Sequence, residues 1–280
     1  MRILVVGKGM LGCAFLNLSS NISIYGIDKD TVDIRNIGAV RNCIEQYDPD
    51  IVINAAGYTD VDGAEINPIT AFTINADGAA NVAKAAKEGQ AVSVYFSTDY
   101  VFDGTKGKPY VEEDEPNPVG VYARSKRMGE IAVLEADPSA LVIRTAWLYG
   151  ANGRNFVGTM LKLADQDEIR VVADQRGSPT WTHDLVLATL KLVLCGASGI
   201  VHVTNSGNTT WYEFAHKIFE IMGKEINVVP ITTEELNRPA RRPAYSVLDN
   251  SAYTQITGDT MPAWEDGLRR FMGEFVLSVI

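Results

Sequence analysis

Two residue types that carry much of protein chemistry are scarce in this 280-residue chain, which has three cysteines and three histidines. Cys13, Cys43 and Cys195 are scattered, odd in number and without CxxC spacing. That excludes a disulfide framework and a thiolate zinc site, and it fits free thiols in a reducing compartment. His183, His202 and His216 are well separated, and none is assigned a role. Positive charge is also short: 25 Lys and Arg stand against 35 Asp and Glu, a net charge of −10. An acidic surface argues against non-specific binding to nucleic acid or anionic membranes, although a local basic pocket can still take a phosphate. No stretch approaches the roughly 18 uninterrupted apolar residues of a membrane span. The opening MRILVVGKGMLG has one basic residue ahead of an apolar run that soon meets glycines, so no secretory leader is expected there. A cytoplasmic location is the expectation. No low-complexity linker or repeat breaks the chain, so its halves should pack closely rather than swing on a tether.

What is present is the composition of a soluble globular protein, 46% hydrophobic and 21% charged. The length allows one well-buried core with a smaller appended lobe. Short β-branched runs at Ile3–Val6, Ile22–Ile27, Ile51–Asn54, Val92–Ser97 and Leu141–Thr145 alternate with helical patterns at Ile37–Tyr47, Ile69–Lys87 and Tyr122–Glu135. Continuous apolar strands separated by helices predict a parallel sheet covered on both faces, a doubly wound α/β fold of Rossmann type. In the second half Phe156–Ala164 and Thr182–Leu194 read as helices, and Ile169–Val172 and Ile200–Val203 as strands. A further helix starts near Trp211 with Thr209 or Thr210 as N-cap, and NRPARRPAYSVLDN (237–250) reads as a loop. The expected division is a dinucleotide-binding part over 1–150. A smaller α/β substrate lobe lies mainly in 151–280, with some segments returning to the first part.

Gly7, Gly9 and Gly12 form a G-x-G-x-x-G between the first strand and the first helix. One glycine permits the tight turn, the second lets the backbone approach a pyrophosphate, and the third lets helix and strand pack closely. The pyrophosphate then meets the positive end of the helix. Asp28 ends the second strand, where a carboxylate accepts hydrogen bonds from the adenosine ribose. That favours NAD over NADP, while the adjacent Lys29 tolerates a 2′-phosphate.

STDYVFDG (97–104) closes an apolar strand, and strand C-termini in such sheets face the cofactor crevice. YARSK (122–126) puts Tyr122 and Lys126 one helical turn apart on the same face. A phenol is a weak acid at neutral pH, and an ammonium beside it is expected to bring its pKa down toward the working range. The Thr98 hydroxyl can complete the set by hydrogen-bonding a substrate oxygen.

Together the glycine loop, INAAGYTDVDGAE (53–65), STDYVFDG, YARSK, IRTAWLYG (143–150) and TTWYEFA (209–215) resemble the dTDP-4-dehydrorhamnose reductase family. These are extended short-chain dehydrogenase/reductases acting on nucleotide sugars. The resemblance runs on through RRPAYSVLDN to PAWEDGLRRFM near the end of the chain. It implies reduction of the 4-keto group of dTDP-4-dehydro-L-rhamnose to dTDP-L-rhamnose by NADH or NADPH. It places the catalytic set on Thr98, Tyr122 and Lys126. Cofactor contacts fall on Gly9, Met10, Leu11, Asp28, Asp33, Ile34, Gly57, Tyr58, Thr59 and Phe96, with Tyr122 and Lys126 touching the nicotinamide ribose. Gly7 and Gly12 complete the loop. Sugar-nucleotide contacts fall on Thr98, Asp99 and Trp147; Trp147 taken alone would read as core. Arg241 and Arg242 are candidates for the diphosphate, since paired guanidiniums suit phosphate oxygens, with a solvated surface pair as the alternative.

The chain departs from the resemblance in two places. Its glycine loop is one residue shorter than the G-x-x-G-x-x-G usual in the superfamily. Some family members also dimerise around a magnesium ion held partly by a glutamate of the first helix. Here that helix, MLGCAFLNLSS (10–20), has no acid, and Ala14 stands at or beside the position. A metal requirement is not expected, and any homodimer should use another surface. Rival readings on the same fold are a nucleotide-sugar dehydratase, a C4 epimerase and a non-enzymatic binding module like the regulatory subunit of methionine adenosyltransferase. Dehydratases usually carry Thr-Asp-Glu where this chain has Thr98-Asp99-Tyr100. The intact Thr98, Tyr122 and Lys126 argue against a pure binding module.

Overall fold

The structure, a computed structural model, describes residues 1–18 and 22–279. The first half alternates strand and helix, as its runs of apolar residues predict. β1 (Arg2–Val6) leads to α1 (Met10–Leu16), β2 (Ser23–Ile27) to α2 (Ile37–Tyr47), and β3 (Ile51–Asn54) to α3 (Val61–Ile66), α4 (Pro68–Phe72) and α5 (Ala79–Glu88). β4 (Val92–Thr98) ends in one 3₁₀ turn, Asp99–Val101, and a long loop reaches α6 (Val121–Ala136), which returns to β5 (Leu141–Thr145). The second half carries shorter strands: β6 (Leu148–Tyr149), β7 (Glu168–Val172), β8 (Arg176–Gly177), β9 (Thr180–Trp181), β10 (Gly199–His202), β11 (Thr209–Thr210) and β12 (Asn227–Ile231). Its helices are α7 (Phe156–Lys162), α8 (Thr182–Leu194), α9 (Trp211–Met222), α10 (Thr233–Leu236), α11 (Ser251–Thr257) and α12 (Trp264–Val279).

Six strands form one parallel sheet in the order β2-β1-β3-β4-β5-β10. Alternate residues of each strand point to opposite faces, and the core divides accordingly. Ile3, Val5, Ile53, Val94 and Ile143 pack with Phe15 and Leu185 on one face, while Leu4, Val6 and Val52 pack with Val40, Ile44 and Val82 on the other. With both faces covered by helices, the strands read as unbroken apolar runs. The chain leaves β1 toward β2 and then returns to the other side of β1 through β3, so the order reverses at β1. The crevice beyond the C-terminal strand ends at such a switch is where this class of sheet binds ligands. β10, from the second half, completes the sheet beside β5. A further core gathers Tyr149, Met160, Phe214, Ile218, Trp264 and Phe271.

Beyond shifts of a single residue, three elements differ from expectation. The first helix ends at Leu16, with Asn17 as C-cap; Ser19 and Ser20 of the expected span lie outside the described residues. The seventh helix stops at Lys162 rather than Ala164. The single helix expected over Ile69–Lys87 is interrupted by a π-helical stretch, Thr73–Gly78. The wider turn aims the Asn75 side chain at polar partners on neighbouring segments, a feature that hydrophobic spacing does not register.

Candidate active site

The loop after β1 is built as its glycines require. Gly7 has φ +95°, and a Cβ there would meet the Ala56 backbone at 2.7 Å. A Cβ on Gly12 would stand 1.8 Å from the Gly7 carbonyl oxygen, so only hydrogen lets α1 close on the turn. Gly9 has nothing within 4 Å of the corresponding point and lines a cavity of about 1050 Å³. The protein leaves this space open where a ligand backbone can approach, and no acidic side chain stands in the first turn of α1.

The cavity runs along the strand ends. Gly7, Gly9, Met10, Leu11, Asp28, Asp33, Ile34, Gly57, Thr59 and Phe96 line it, and so do Thr98, Asp99, Tyr122, Lys126 and Trp147. Gly12 and Tyr58 stand behind the wall. Tyr58 acts through its backbone: its N–H donates to Asn75 Oδ1 at 2.8 Å, and its carbonyl accepts from Asn75 Nδ2 at 3.0 Å. Four of the five buried side-chain polar atoms without a partner among the described residues belong to cavity-lining residues: Asn54 Nδ2, Ser97 Oγ, Asp99 Oδ2 and Thr145 Oγ1. Buried polar atoms are ordinarily satisfied, so this clustering marks a wall that expects a polar ligand. Open space at Gly9, a carboxylate after β2 and orphaned donors and acceptors at the far end together fit a dinucleotide.

At the adenosine end, Asp28 Oδ1 accepts from the Lys29 N–H at 2.7 Å. Asp33 holds the Arg35 guanidinium through both carboxylate oxygens, at 2.7–3.1 Å, which lowers its own pKa to about 2. Lys29 and Arg35 both line this end of the cavity.

At the chemical end, Tyr122 is the second residue of α6 and half-buried. Lys126 lies one turn on, 5% exposed, its Nζ donating to the Phe96 carbonyl at 2.5 Å and standing 4.1 Å from the centre of the Tyr95 ring. The expectation that Lys126 would bring down the Tyr122 pKa is reversed here. Removal from water pushes the phenol up to about 12, and a nearby Thr98 hydroxyl offsets only part of the shift. Burial pulls Lys126 down to about 7, with Glu130 opposing. The amine is turned to a carbonyl of β4, to which it donates. Thr98 donates to Asp99 Oδ1 at 3.0 Å and accepts from the Tyr100 N–H at 3.2 Å. Burial raises the Asp99 carboxyl to about 7, with the Ser246 and Thr98 hydroxyls pulling it back.

Trp147 follows β5 in the left-handed region, φ +48°. A bulky residue in a sparsely populated conformation carries about 1–3 kcal/mol of strain, which the surroundings must hold in place. Its ring lies flat on Trp211, with centroids 3.5 Å and planes 5° apart. Arg242 faces elsewhere: its guanidinium grips both carboxylate oxygens of Asp62, at 2.9 and 3.1 Å, and it does not line the cavity. Arg241 is exposed.

Three contributors escaped the sequence reading. Asn75 ties the Gly57–Thr59 loop to α6, its Nδ2 also donating to Ser125 Oγ at 2.9 Å. Glu65 Oε1 accepts from the Val121 N–H at 2.8 Å and so caps α6, whose own N-cap, Gly120, offers no side chain. Arg154 lines the cavity from the loop before α7. Only Arg154 left a trace, as a lone cation in the glycine-bearing stretch GANGRN.

Comparison with known proteins gives this arrangement relatives. The model of the family described as RmlD substrate binding domain matches residues 1–277. A dTDP-4-dehydrorhamnose reductase of Sinorhizobium fredii is 39% identical, over 99% of this chain and 98% of the relative. A probable dTDP-4,6-dihydroxy-2-methyloxan-3-one 4-ketoreductase of Streptomyces antibioticus is 40% identical, over 96% of this chain and 94% of the relative. A crystal structure of dTDP-4-dehydrorhamnose reductase from Bacillus anthracis, in complex with NADP, superposes with a TM-score of 0.95 at 42% identity, covering 98% of this chain and 99% of that one.

Proposed function

This chain belongs to the RmlD substrate binding domain family, and on that footing we propose that it is an NAD(P)H-dependent reductase of the 4-keto group of dTDP-4-dehydro-L-rhamnose. The observation that carries the reading is a single cavity walled at one end by the glycine loop and at the other by Thr98, Tyr122 and Lys126. The dihydronicotinamide, when bound, supplies the hydride. Tyr122 supplies the proton to the sugar oxygen. A phenol held up near 12 stays protonated at neutral pH, and that is the state a reduction requires of its acid. Thr98, by turning its hydroxyl from Asp99, hydrogen-bonds the same oxygen. Lys126, with a pKa near 7, both orients the cofactor ribose and exchanges protons readily at neutral pH.

Gly7, Gly9, Met10 and Leu11 would hold the pyrophosphate, with Gly12 letting α1 close on the turn behind them. Asp28, Asp33 and Ile34 would hold the adenosine ribose, with Gly57, Thr59 and Phe96 along the remainder of the cofactor and Tyr58 fixing their loop from behind. Lys29 and Arg35 line the same end of the cavity and suit a 2′-phosphate, Arg35 by exchanging Asp33 for it, so both NADH and NADPH are accommodated. Asp99 and Trp147 face the sugar nucleotide. Arg242 joins them only if it exchanges Asp62 for a phosphate. We read the second core as the substrate lobe and the cytoplasm as the site of action, with any homodimer formed without a bridging metal.

Elimination of water is disfavoured, because Tyr100 stands where a dehydratase base would stand and burial raises its phenol further. The Streptomyces antibioticus relative supports one second reading, reduction of another dTDP-linked keto sugar. The test is a coupled assay with dTDP-4-dehydrorhamnose made in place by its epimerase, following oxidation of NADH and NADPH. Stoichiometric cofactor consumption with formation of dTDP-rhamnose is expected. A product formed without net oxidation would mean an epimerase, and no turnover with this sugar would shift the reading to the second substrate.

A further inference from the structure

The indole of Trp147 is held by residues of the second half. Trp211 covers it in a near-parallel stack at 3.5 Å. A Cβ on Gly177 would come within 2.4 Å of Cε2 and 2.5 Å of Nε1, so the glycine backbone lies directly against the indole. The Trp147 carbonyl accepts from the Thr180 N–H at 3.2 Å, which holds the left-handed backbone from the adjacent β9. Trp211 does not line the cavity. It is anchored as the first residue of α9, behind the capping box of Thr210 and Glu213. Its indole N–H donates to the buried Gln175 Oε1 at 3.2 Å, and Gln175 Nε2 donates to Thr233 Oγ1 at 2.9 Å.

We propose that Trp211, Gln175 and Gly177 are positioning residues for sugar-nucleotide recognition. They pack around Trp147 and hold it in a strained conformation at the cavity wall. The proposal rests on the reading of Trp147 as a substrate contact. Two features set this arrangement apart from ordinary core packing. A left-handed tryptophan persists only where its surroundings over-determine it. The stack also joins a cavity-lining ring to one outside the cavity, so it carries the position of α9 to the substrate side. A larger residue at 177 or a smaller one at 211 therefore moves the Trp147 ring without removing any group that meets cofactor or substrate.

The test compares Trp211→Ala, Trp211→Phe and Gly177→Ala with the wild type, each checked for the stack by near-ultraviolet circular dichroism. Trp211→Ala and Gly177→Ala should lower kcat/KM for the sugar nucleotide by about tenfold, mainly through KM, with the NADPH dissociation constant within about twofold of wild type. Trp211→Phe, which keeps a stacking ring, should recover most of the loss. The inference is overturned if Trp211→Ala holds kcat/KM within about fivefold, or if NADPH affinity falls in parallel, which would indicate general loosening. Should Trp211→Ala fail to fold, Gly177→Ala decides by the same thresholds. An inactive wild type would instead defeat the functional reading itself, so the two failures are distinguishable.

Discussion

Tyr122 stays protonated at neutral pH because removal from water raises its phenol, with the Thr98 hydroxyl offsetting only part of the shift, so it is held in the form that can donate a proton. General acid catalysis of this kind contributes about 10²–10⁴-fold. Tyr122→Phe should therefore lower kcat by roughly that factor while cofactor binding, measured by fluorescence titration, is largely kept; near wild-type turnover would remove Tyr122 from the role. At the other end of the cavity, Asp28→Ala should weaken NADH binding more than NADPH binding, because Lys29 and Arg35 remain to meet a 2′-phosphate. Equal losses for the two cofactors would show that Asp28 does not read the ribose.

Helix α6 presents both Tyr122 and Lys126, yet it begins at a glycine with no cap of its own. Glu65, on α3, provides the missing acceptor, and a carboxylate also favours the positive end of the helix. Removing such a cap typically destabilises by about 1 kcal/mol, and here the freed end is the residue beside Tyr122. Glu65→Ala should lower both the unfolding midpoint and kcat, whereas Glu65→Gln, which keeps an acceptor oxygen, should stay close to wild type. Identical denaturation curves and rates for the two variants would show that the cap is dispensable. The sequence reading recovered α2 and α8 to the residue, because their apolar spacing and flanks are local. The π turn at Thr73–Gly78 escaped because the interruption leaves that spacing almost unchanged while redirecting one side chain, Asn75.

Across the molecule, β10 is joined to the sheet through a buried polar knot. Arg144 on β5 holds both oxygens of Glu130 at 2.8 and 2.9 Å, and His202 lies 3.4 Å from Arg144. His202 Nδ1 is 3.1 Å from the Tyr110 carbonyl, which assigns it the proton and leaves Nε2 to accept from Arg144. Burial, reinforced by Arg144, lowers the His202 pKa to about 3. Between that value and the unfolded value near 6.5 the unfolded chain binds the extra proton, so stability falls as pH falls, by about 1.4 kcal/mol per unit. Urea midpoints should drop between pH 6.5 and 5, and His202→Gln should flatten that slope; a parallel slope in the variant would place the titration elsewhere. Among the described residues no cluster of three or more His, Cys, Asp or Glu is arranged to hold a metal ion. EDTA and added magnesium should accordingly leave activity and elution volume unchanged, and a chelator-dependent change of size would point to ligands supplied by an assembly.

The alternation of the main strands and helices in the first half, the glycine loop and the placement of Tyr122 and Lys126 one helical turn apart were written in local pattern. Period-two and period-3.6 burial, turn glycines and i,i+4 spacing act within a few residues, and the folded chain only had to accept them. Contacts across long separations were not legible in that way. Arg242, a candidate for the diphosphate from its residue type and neighbour, is paired with Asp62, 180 residues away. Lys126 is turned to the Phe96 carbonyl, 30 residues back. Trp147 owes its conformation to Thr180, Gly177 and Trp211, which come from three other segments. In each case the side chain's own chemistry was plain from its residue type. Its partner, protonation and direction depended on which surfaces the close-packed interior brought together and stripped of water.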